Sequence, residues 1–529
     1  MMNNNNNDNQ RNRIVNLSHI LLSKIIKYLD DNIDRIVFTL VCKRWYNDTH
    51  NYLSFNTDHI GMILNDKLKN NMFLNSYKSI YIDSINRKND YHLYIFKDNH
   101  QNAEYCINYE QLLQKNEIPP NVKTISIGSD VLNLEEIYQL ISRSNVTTME
   151  HCSTLRYKLP ENIRSLSFSS EFNEPLVPGY LPAHLKCLKF QTSISKHTLN
   201  AGVLPNTIEI LVLNRSVQHP LEPGLLPPSL KSLSYQNNHL PKVGSLPPNI
   251  EEFSYYFISA IGRPSISKGV LPLTLRKLTV PSSWLPSIKS LPNLTSLTLT
   301  YNDNNIIDLS YLPCSITELH ISYGRLISKM PPSIKYLDLN SIEFDIDSVF
   351  KDRSQYQFDY LSVTEFKSVS LNGLNIKELY ISLNGNQSLP LIPSSVQKLT
   401  ICSIETNSFL GNLLFPNKLE ELVIKNYEDF DRAFKINSDI LPTSIQSLTL
   451  PSLRVPQPRI PNNLILKPYK HSSYKLWLRR LDYQHYLFFS EELSFLSAII
   501  CESQIPKIFS FYESIIPKYF EYHRRWNKE

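Results

Sequence analysis

The sequence predicts a solenoid of stacked short parallel strands, preceded by a small α-helical module and followed by a helical C-terminal cap. Three observations predict it. A Leu-Pro-led unit recurs along most of the 529 residues. Glycines, scarce elsewhere, fall at one phase of that unit. Residues 14 to 55 keep a different, helical rhythm.

The recurring unit reads Leu-Pro-x-x-(Leu/Ile)-x-x-Leu-x-(apolar). It appears as Leu159-Pro160 with Ile163, Leu166 and Phe168, as Leu181-Pro182 with Leu185, Leu188 and Phe190, and as Leu204-Pro205 with Ile208, Leu211 and Leu213. Further copies start at Leu226, Leu246, Leu271, Leu312 and Leu441; Met330, Ile392 and Phe415 replace the first Leu in three more, and Leu291-Pro292 begins a copy one residue short, with Leu294, Leu297 and Leu299. Ile118-Pro119, with Val122, Ile125 and Ile127, is an early copy. Phe358/Leu361/Val363 and Ile376/Leu379/Ile381 are degenerate copies filling the gap after Met330. From Leu159 on, with the degenerate copies filling the gap after Met330, successive starts lie from 18 residues (Leu312 to Met330) to 26 residues (Phe415 to Leu441) apart.

The physics of one unit is legible. In Leu166-Ser167-Phe168, alternation puts the first and third side chains on one face. A strand this short cannot bury that face alone. Stacking successive units in parallel at ~4.8 Å builds a continuous core. Proline after the leading Leu fits a turn entering the strand, since it cannot donate inside a central one. The chain holds only 12 glycines, yet Gly179, Gly202, Gly224, Gly244 and Gly269 each stand two residues before a leading Leu. That phase calls for a positive φ or a close approach. Proline-rich loops such as Pro175-Leu176-Val177-Pro178-Gly179 leave little room for helix, so extended or 3₁₀-like returns are expected.

At Phe172-Asn173-Glu174-Pro175, followed by Gly179-Tyr180-Leu181-Pro182, the unit resembles the FNIP repeat, a leucine-rich-repeat-like unit of this length; leucine-rich repeats run roughly 20–29 residues. The resemblance is clearest over 159–280. Residues 118–461 are accordingly expected to form FNIP/leucine-rich-like repeats, with 56–117 an irregular start to the solenoid.

Residues 14–55 form the helical module. Leu17, Leu21, Ile25 and Leu29 recur every four residues; Asp30, Asp31 and Asn32 mark a turn. Ile33, Ile36, Val37, Leu40, Val41 and Trp45 make a second stripe. Two short helices of this kind carry more apolar surface than they can bury between themselves. The opening stretch Leu17-Ser18-His19-Ile20-Leu21-Leu22-Ser23-Lys24-Ile25-Ile26 and the closing Val41-Cys42-Lys43-Arg44-Trp45 resemble an F-box. Ser18 stands where that family has Pro, and can cap a helix instead. The resemblance implies a contact with a Skp-type adaptor of a cullin-RING ubiquitin ligase through Leu17, Leu21, Ile25, Leu29, Val41 and Trp45. The alternative is a helical cap that seals the solenoid's end. The two differ in exposure: a docking face presents Leu17, Leu21 or Ile25, whereas a cap buries them.

On the strands, residues between the buried pair point to the other sheet face. Lys189, Glu252, Lys277, Glu318, His320, Tyr336, Asp338, Tyr380, Lys398 and Glu421 are the candidate target-binding residues there, a polar set with scattered aromatics that suits a protein partner. The alternative is an ordinary solvated face. No metal-ligand or phosphate-loop spacing occurs among the histidines and glycines, and His151-Cys152 are strand neighbours that should point apart. No catalytic residue, metal or cofactor is expected.

Residues 462–529 leave the repeat. Leu493, Leu496, Ile499 and Ile500 have helical spacing and predict the capping helix. Arg479-Arg480 and Arg524-Arg525, interleaved with Tyr474, Trp477, Tyr483 and Tyr486, make nucleic-acid contact a minor alternative. A net charge of +5, from 54 basic and 49 acidic residues, gives it no support. The seven cysteines are odd in number and scattered, which argues against a disulfide framework or zinc site. Residues 1–13 are Asn-rich and expected to be disordered. No run of eighteen apolar residues occurs, so no membrane contact is expected. These features predict a cytoplasmic protein, the nucleus being the alternative. The sequence thus points to a non-enzymatic adaptor: a substrate-recognition subunit of an SCF-type ubiquitin ligase with an unknown protein target, or a repeat scaffold with no ubiquitin role.

Overall fold

The computed structural model describes residues 14–56, 77–86, 91–97, 106–190, 199–213, 220–257, 265–300, 306–339, 342–364, 370–383, 391–403, 414–426, 441–450, 462–466, 476–490, 496–505 and 507. Two compact units emerge: residues 89–402, and residues 1–88 with 403–529. The Asn-rich start, Tyr474, Leu493 and the Arg524-Arg525 pair lie outside the described residues.

In the 89–402 unit the repeat is a stack of parallel strands. Leu166 registers with Leu188, then Leu211, Leu233 and Phe253. The same row continues through Leu278, Leu297, Leu319, Leu337, Leu361 and Leu379. No member of the row is more than 2% exposed. Each contributes about 2 kcal/mol on burial, and none could do so without its neighbours. The degenerate units stack in phase with the rest: Gln357–Thr364 and Asn375–Leu383 pair from Phe358↔Ile376 through Val363↔Ile381.

The Leu-Pro pair has a specific job. The carbonyls of Pro160, Pro182, Pro205, Pro227 and Pro247 each accept the N–H of the residue three positions on, at 3.1–3.2 Å, closing a turn before the strand. Proline fits that position because only its carbonyl is needed. The glycines follow the expected phase, with φ of 84° at Gly179, 82° at Gly202, 81° at Gly224, 80° at Gly244 and 88° at Gly269.

A second ladder was not anticipated. The residue just before the inward Leu or Ile is Ser, Thr or Asn in many copies, and its side chain donates to a carbonyl of the preceding coil. Thr207 Oγ1 bonds Leu185 O at 2.8 Å, Ser229 Oγ bonds Ile208 O at 2.6 Å, and Ser315 Oγ bonds Leu294 O at 2.7 Å. These bonds satisfy carbonyls that the strand ladder does not reach.

Returns are mainly turns and 3₁₀ pieces, such as Ser282–Trp284, with short helices at Leu285–Ile288 and Ile346–Val349. The exceptions are two early helices: Tyr109–Lys115, and Leu134–Ser142, where the loop lacks proline and Ile137 and Ile141 supply a buried face. Ile306–Ile307, Gly324–Leu326 and Ile342–Phe344 form a separate small parallel sheet on three successive returns.

In the other unit, helices α1 (His19–Ile26), α2 (Asn32–Thr39) and α3 (Lys43–Asn47) fold around Leu22, Ile26, Ile33, Ile36 and Trp45. A fourth helix, α4 (Lys78–Asn86), packs on them: Thr39 Oγ1 lies 3.0 Å from Tyr77 OH, and the Phe55 N–H donates to Ser84 Oγ at 3.0 Å. Arg35 is 4% exposed and donates to Leu29 O, Ser54 O and Asn56 Oδ1 at 2.8, 2.6 and 2.8 Å. It ties the turn before α2 to the chain leaving α3.

The repeat strands of this unit are Glu421–Asn426, Ser447–Leu450 and Asn463–Leu466. Beyond them the expected helix does not form over the described residues. Leu476–Arg480, His485–Ser490 and Leu496–Cys501 instead run antiparallel and extend the sheet. The spacing of Leu496, Ile499 and Ile500 misled because both sheet faces carry apolar residues, Ile500 buried on one and Ile499 42% exposed on the other, and the strand beside it is buried on both. Phe488 and Phe489 are adjacent, point apart, and are both 0% exposed. A strand buried on both sides loses its period of two and mimics a helix.

Candidate protein-interaction surfaces

The first surface lies on the N-terminal helices. Ser18 caps α1 in extended conformation, its Oγ accepting the Leu21 N–H at 3.4 Å, and so does the work expected of it. The Arg44-Trp45 pair closes the module from the other side. Arg44 Nη1 and Trp45 Nε1 both donate to Val15 O, at 2.7 and 3.1 Å. With the core closed, a row of apolar side chains stays in water: Leu21 is 46% exposed, Ile25 37% and Val41 60%.

Two neighbours that the sequence reading did not nominate, Ile20 at 70% and Tyr28 at 86%, extend this row. Leu17 and Leu29 are half-buried. Trp45, expected on the contact face, is instead 3% exposed and stacked on Phe38 at 4.6 Å between centroids. Its indole is taken up by the module's own core, so it shapes the face without lining it. The missed residues sit at helical spacing beside Leu21 and Ile25, a signal present in the sequence.

The second surface is the outward face of the 89–402 sheet. Strand register sorts the nominated residues into two rows. Glu318 and Tyr336 lie in one with Tyr360 and Glu378; His320, Asp338 and Tyr380 lie in the other with Ser362. Lys277 Nζ reaches Glu252 Oε1 at 3.3 Å, and Ser232 Oγ donates to the other oxygen of Glu252 at 3.1 Å. Lys189 is exposed and well removed in the stack; Lys398 is half-buried on a later strand. Glu421 is half-buried and belongs to the other compact unit.

The most structured part of the face centres on His320. Its Nε2 lies 2.9 Å from Glu318 Oε1 and its Nδ1 3.6 Å from Asp338 Oδ2. Asp338, then Glu318, holds the imidazolium against the opposing effect of burial, and its pKa is raised to about 8. The His320 contact, outweighing burial, holds the Glu318 carboxyl below its ordinary range. At Asp338 burial opposes ionisation, but bonds from His320 and Ser362 outweigh it and the pKa falls. Ser362, 4% exposed, is a supporting residue the sequence reading missed, although it falls at the outward phase of its strand. Tyr336, 48% exposed, adds an aromatic face.

His92, Ser126 and Glu150 form another polar group. His92 Nε2 lies 2.9 Å from Ser126 Oγ, which donates to Glu150 Oε2 at 3.1 Å. The carboxylate takes the hydroxyl proton directly and does not orient the far ring nitrogen, the reverse of a nucleophile relay. His151 and Cys152 do point apart: Cys152 is 1% exposed, His151 is exposed with φ of 59°. Burial pushes the Cys152 thiol up to about 11, away from the reactive thiolate. Among the described residues no group of three or more His, Cys, Asp or Glu side chains is placed to hold a metal ion. No helix among them is long and apolar enough to cross a membrane.

The FNIP repeat family matches at residues 156–193 and 197–237. These stretches hold the first Phe-Asn-x-Pro loop and the strands Ser165–Phe168, Cys187–Phe190, Ile210–Leu213 and Ser232–Gln236. Among solved structures the chain is similar to CroV588, described as a novel circular leucine-rich-repeat protein. That likeness has 18% identity and a TM-score of 0.36, and covers 68% of this chain and 74% of the other. No curated protein matches the chain. By repeat pattern and by strand stacking, it is a leucine-rich-like repeat solenoid.

Proposed function

We propose that this protein is a non-enzymatic adaptor in an SCF-type ubiquitin ligase. The exposed face of α1 docks a Skp-type adaptor, and the outward sheet face of the solenoid holds a protein target. One observation carries the reading: Leu21, Ile25 and Val41, with Ile20 and Tyr28, stand in water on a module whose own core is already closed by Leu22, Ile26, Ile33 and Ile36. Contiguous exposed apolar patches of this kind mark interaction sites. A sealing cap would have spent them against the repeats. The solenoid supports the second half, since stacked repeats characteristically offer extended binding surfaces and leave bond chemistry to others. Cytoplasm, or nucleus, is where such a ligase operates.

The second reading is a repeat scaffold without a ubiquitin role, supported by the FNIP match, which covers the repeats alone. Co-purification separates the two. Full-length protein should bring down a Skp-type adaptor and cullin, and Leu21→Asp or removal of residues 1–55 should abolish capture with the 165–381 strands still folded. A wild-type chain that captures no adaptor would leave the scaffold reading standing.

A further inference from the structure

The outward sheet face is open to water along the 89–402 unit, but in the other unit much of it is covered. By register, Leu422 and Leu448 continue through the Asn463–Leu466 strand to Leu478, Phe488 and Ala498 on the core side. The opposite side carries Thr449, Trp477, Phe489 and Ser497 in one row, and Arg479, Leu487 and Ile499 in the next. Phe489 and Leu487 are 0% exposed, Ser497 1%, Thr449 4% and Trp477 7%, while Ile499 at the far strand is 42% exposed. Beside the covered residues sits a cation. Arg479 Nη2 bonds Asp34 Oδ1 of α2 at 2.8 Å, with the two side chains 25% and 33% exposed.

The geometry points to the strands at 463–466, 476–480, 485–490 and 496–501 as an intramolecular docking surface whose occupant is the N-terminal helical module, with Arg479 as the residue that locks it in place. Three features support this. Asp34 lies in the first turn of α2, where a carboxylate suits the helix dipole. The Nε of Arg479 is buried with no hydrogen-bond partner, so Asp34 supplies the compensation for burying this guanidinium. The neighbouring Arg480 points to the other face and stacks 4.9 Å over Tyr486, so the Arg479-Arg480 pair is divided between two structural tasks and forms no joint basic patch. Docking through α2 leaves Leu21 and Ile25 of α1 in water. The consequence for adaptor capture rests on the function proposed above; the docking itself does not.

Charge reversal tests it on the full chain: Asp34→Arg, Arg479→Asp, the double variant, and Arg479→Lys as a conservative control. Hydrogen exchange is followed at 19–47, at 476–500 and, as a folding control, at 165–381. Each reversal should speed exchange at least tenfold in both 19–47 and 476–500, leave 165–381 unchanged and lower adaptor capture. The double variant should recover most of the protection, and Arg479→Lys should stay close to wild type. Unchanged exchange at 19–47 in both single variants, or a double variant no better than either, overturns the proposal. Coupled exchange with rescue, in a wild type that captures no adaptor, upholds the docking and removes the ligase reading. Adaptor capture by a wild type whose exchange ignores both reversals does the opposite.

Discussion

The imidazole of His320 lies 2.9 Å from the carboxylate of Glu318, two residues back on the same strand and on the same sheet face. Asp338 on the next strand closes the group from the other ring nitrogen at 3.6 Å. Because the folded pKa of His320 is raised from 6.5 to about 8, its stabilisation is fully present below pH 6.5 and is lost as pH rises through about 8. With solvent screening of a side chain about one-third exposed, the loss should be about 1 kcal/mol. Denaturant titrations at pH 6 and pH 9 should show it in the wild type and not in His320→Gln. In Asp338→Asn the imidazole midpoint, followed by NMR, should move back toward 6.5.

Gly224 has φ of 81°, and a Cβ there would meet nothing within 4 Å. Gly224→Ala therefore isolates the backbone cost, about 1–2 kcal/mol. Replacing Gly128, which has no such φ but whose Cβ would sit 3.0 Å from Asp130 Oδ1, tests sterics alone. Urea midpoints should fall for Gly224→Ala, and Gly224→Asn should recover part of the loss because Asn tolerates the left-handed region.

Ser315 offers a test of the side-chain ladder. Its Oγ donates to Leu294 O at 2.7 Å across one coil. Ser315→Ala should cost about 1 kcal/mol and speed exchange in the neighbouring coils before distant ones, as expected where each repeat contacts only its neighbours. By contrast, Leu319→Ala in the core should cost about 2–5 kcal/mol.

Arg35 makes three hydrogen bonds inside the N-terminal module while 4% exposed. Burial lowers its pKa, partly offset by Asp30, yet it remains charged at neutral pH. Arg35→Met should destabilise the module by about 3 kcal/mol by stranding two carbonyls and an amide oxygen. The loss would appear as faster exchange over 19–47. Leu21→Asp, on the exposed face, should change stability by no more than about 0.5 kcal/mol. A matching loss of stability in both would show that Leu21 is structural.

What the sequence determined by itself is the repeat. Leu-Pro, the inward pair of each strand and the five phased glycines are local devices, each acting within one coil or on its immediate neighbour, so periodicity reveals them. The helical module was legible for the same reason: Ser18, Leu22 and Ile26 act within one or two turns of helix. The outward phase of His320 and Asp338 was likewise readable. That they form one group with Glu318 was not, because it depends on which residues two strands bring opposite each other.

Tertiary structure alone decided three things. It placed Trp45 inside the module, because its indole found Val15 O and the Phe38 ring; the same motif could have faced outward. It turned 476–480, 485–490 and 496–501 into strands, the middle one buried on both faces so that the alternation that marks a strand is erased. And it set Asp34 against Arg479, residues at opposite ends of the chain, whose pairing no local pattern records. Those long-range contacts govern what each surface leaves free for a partner.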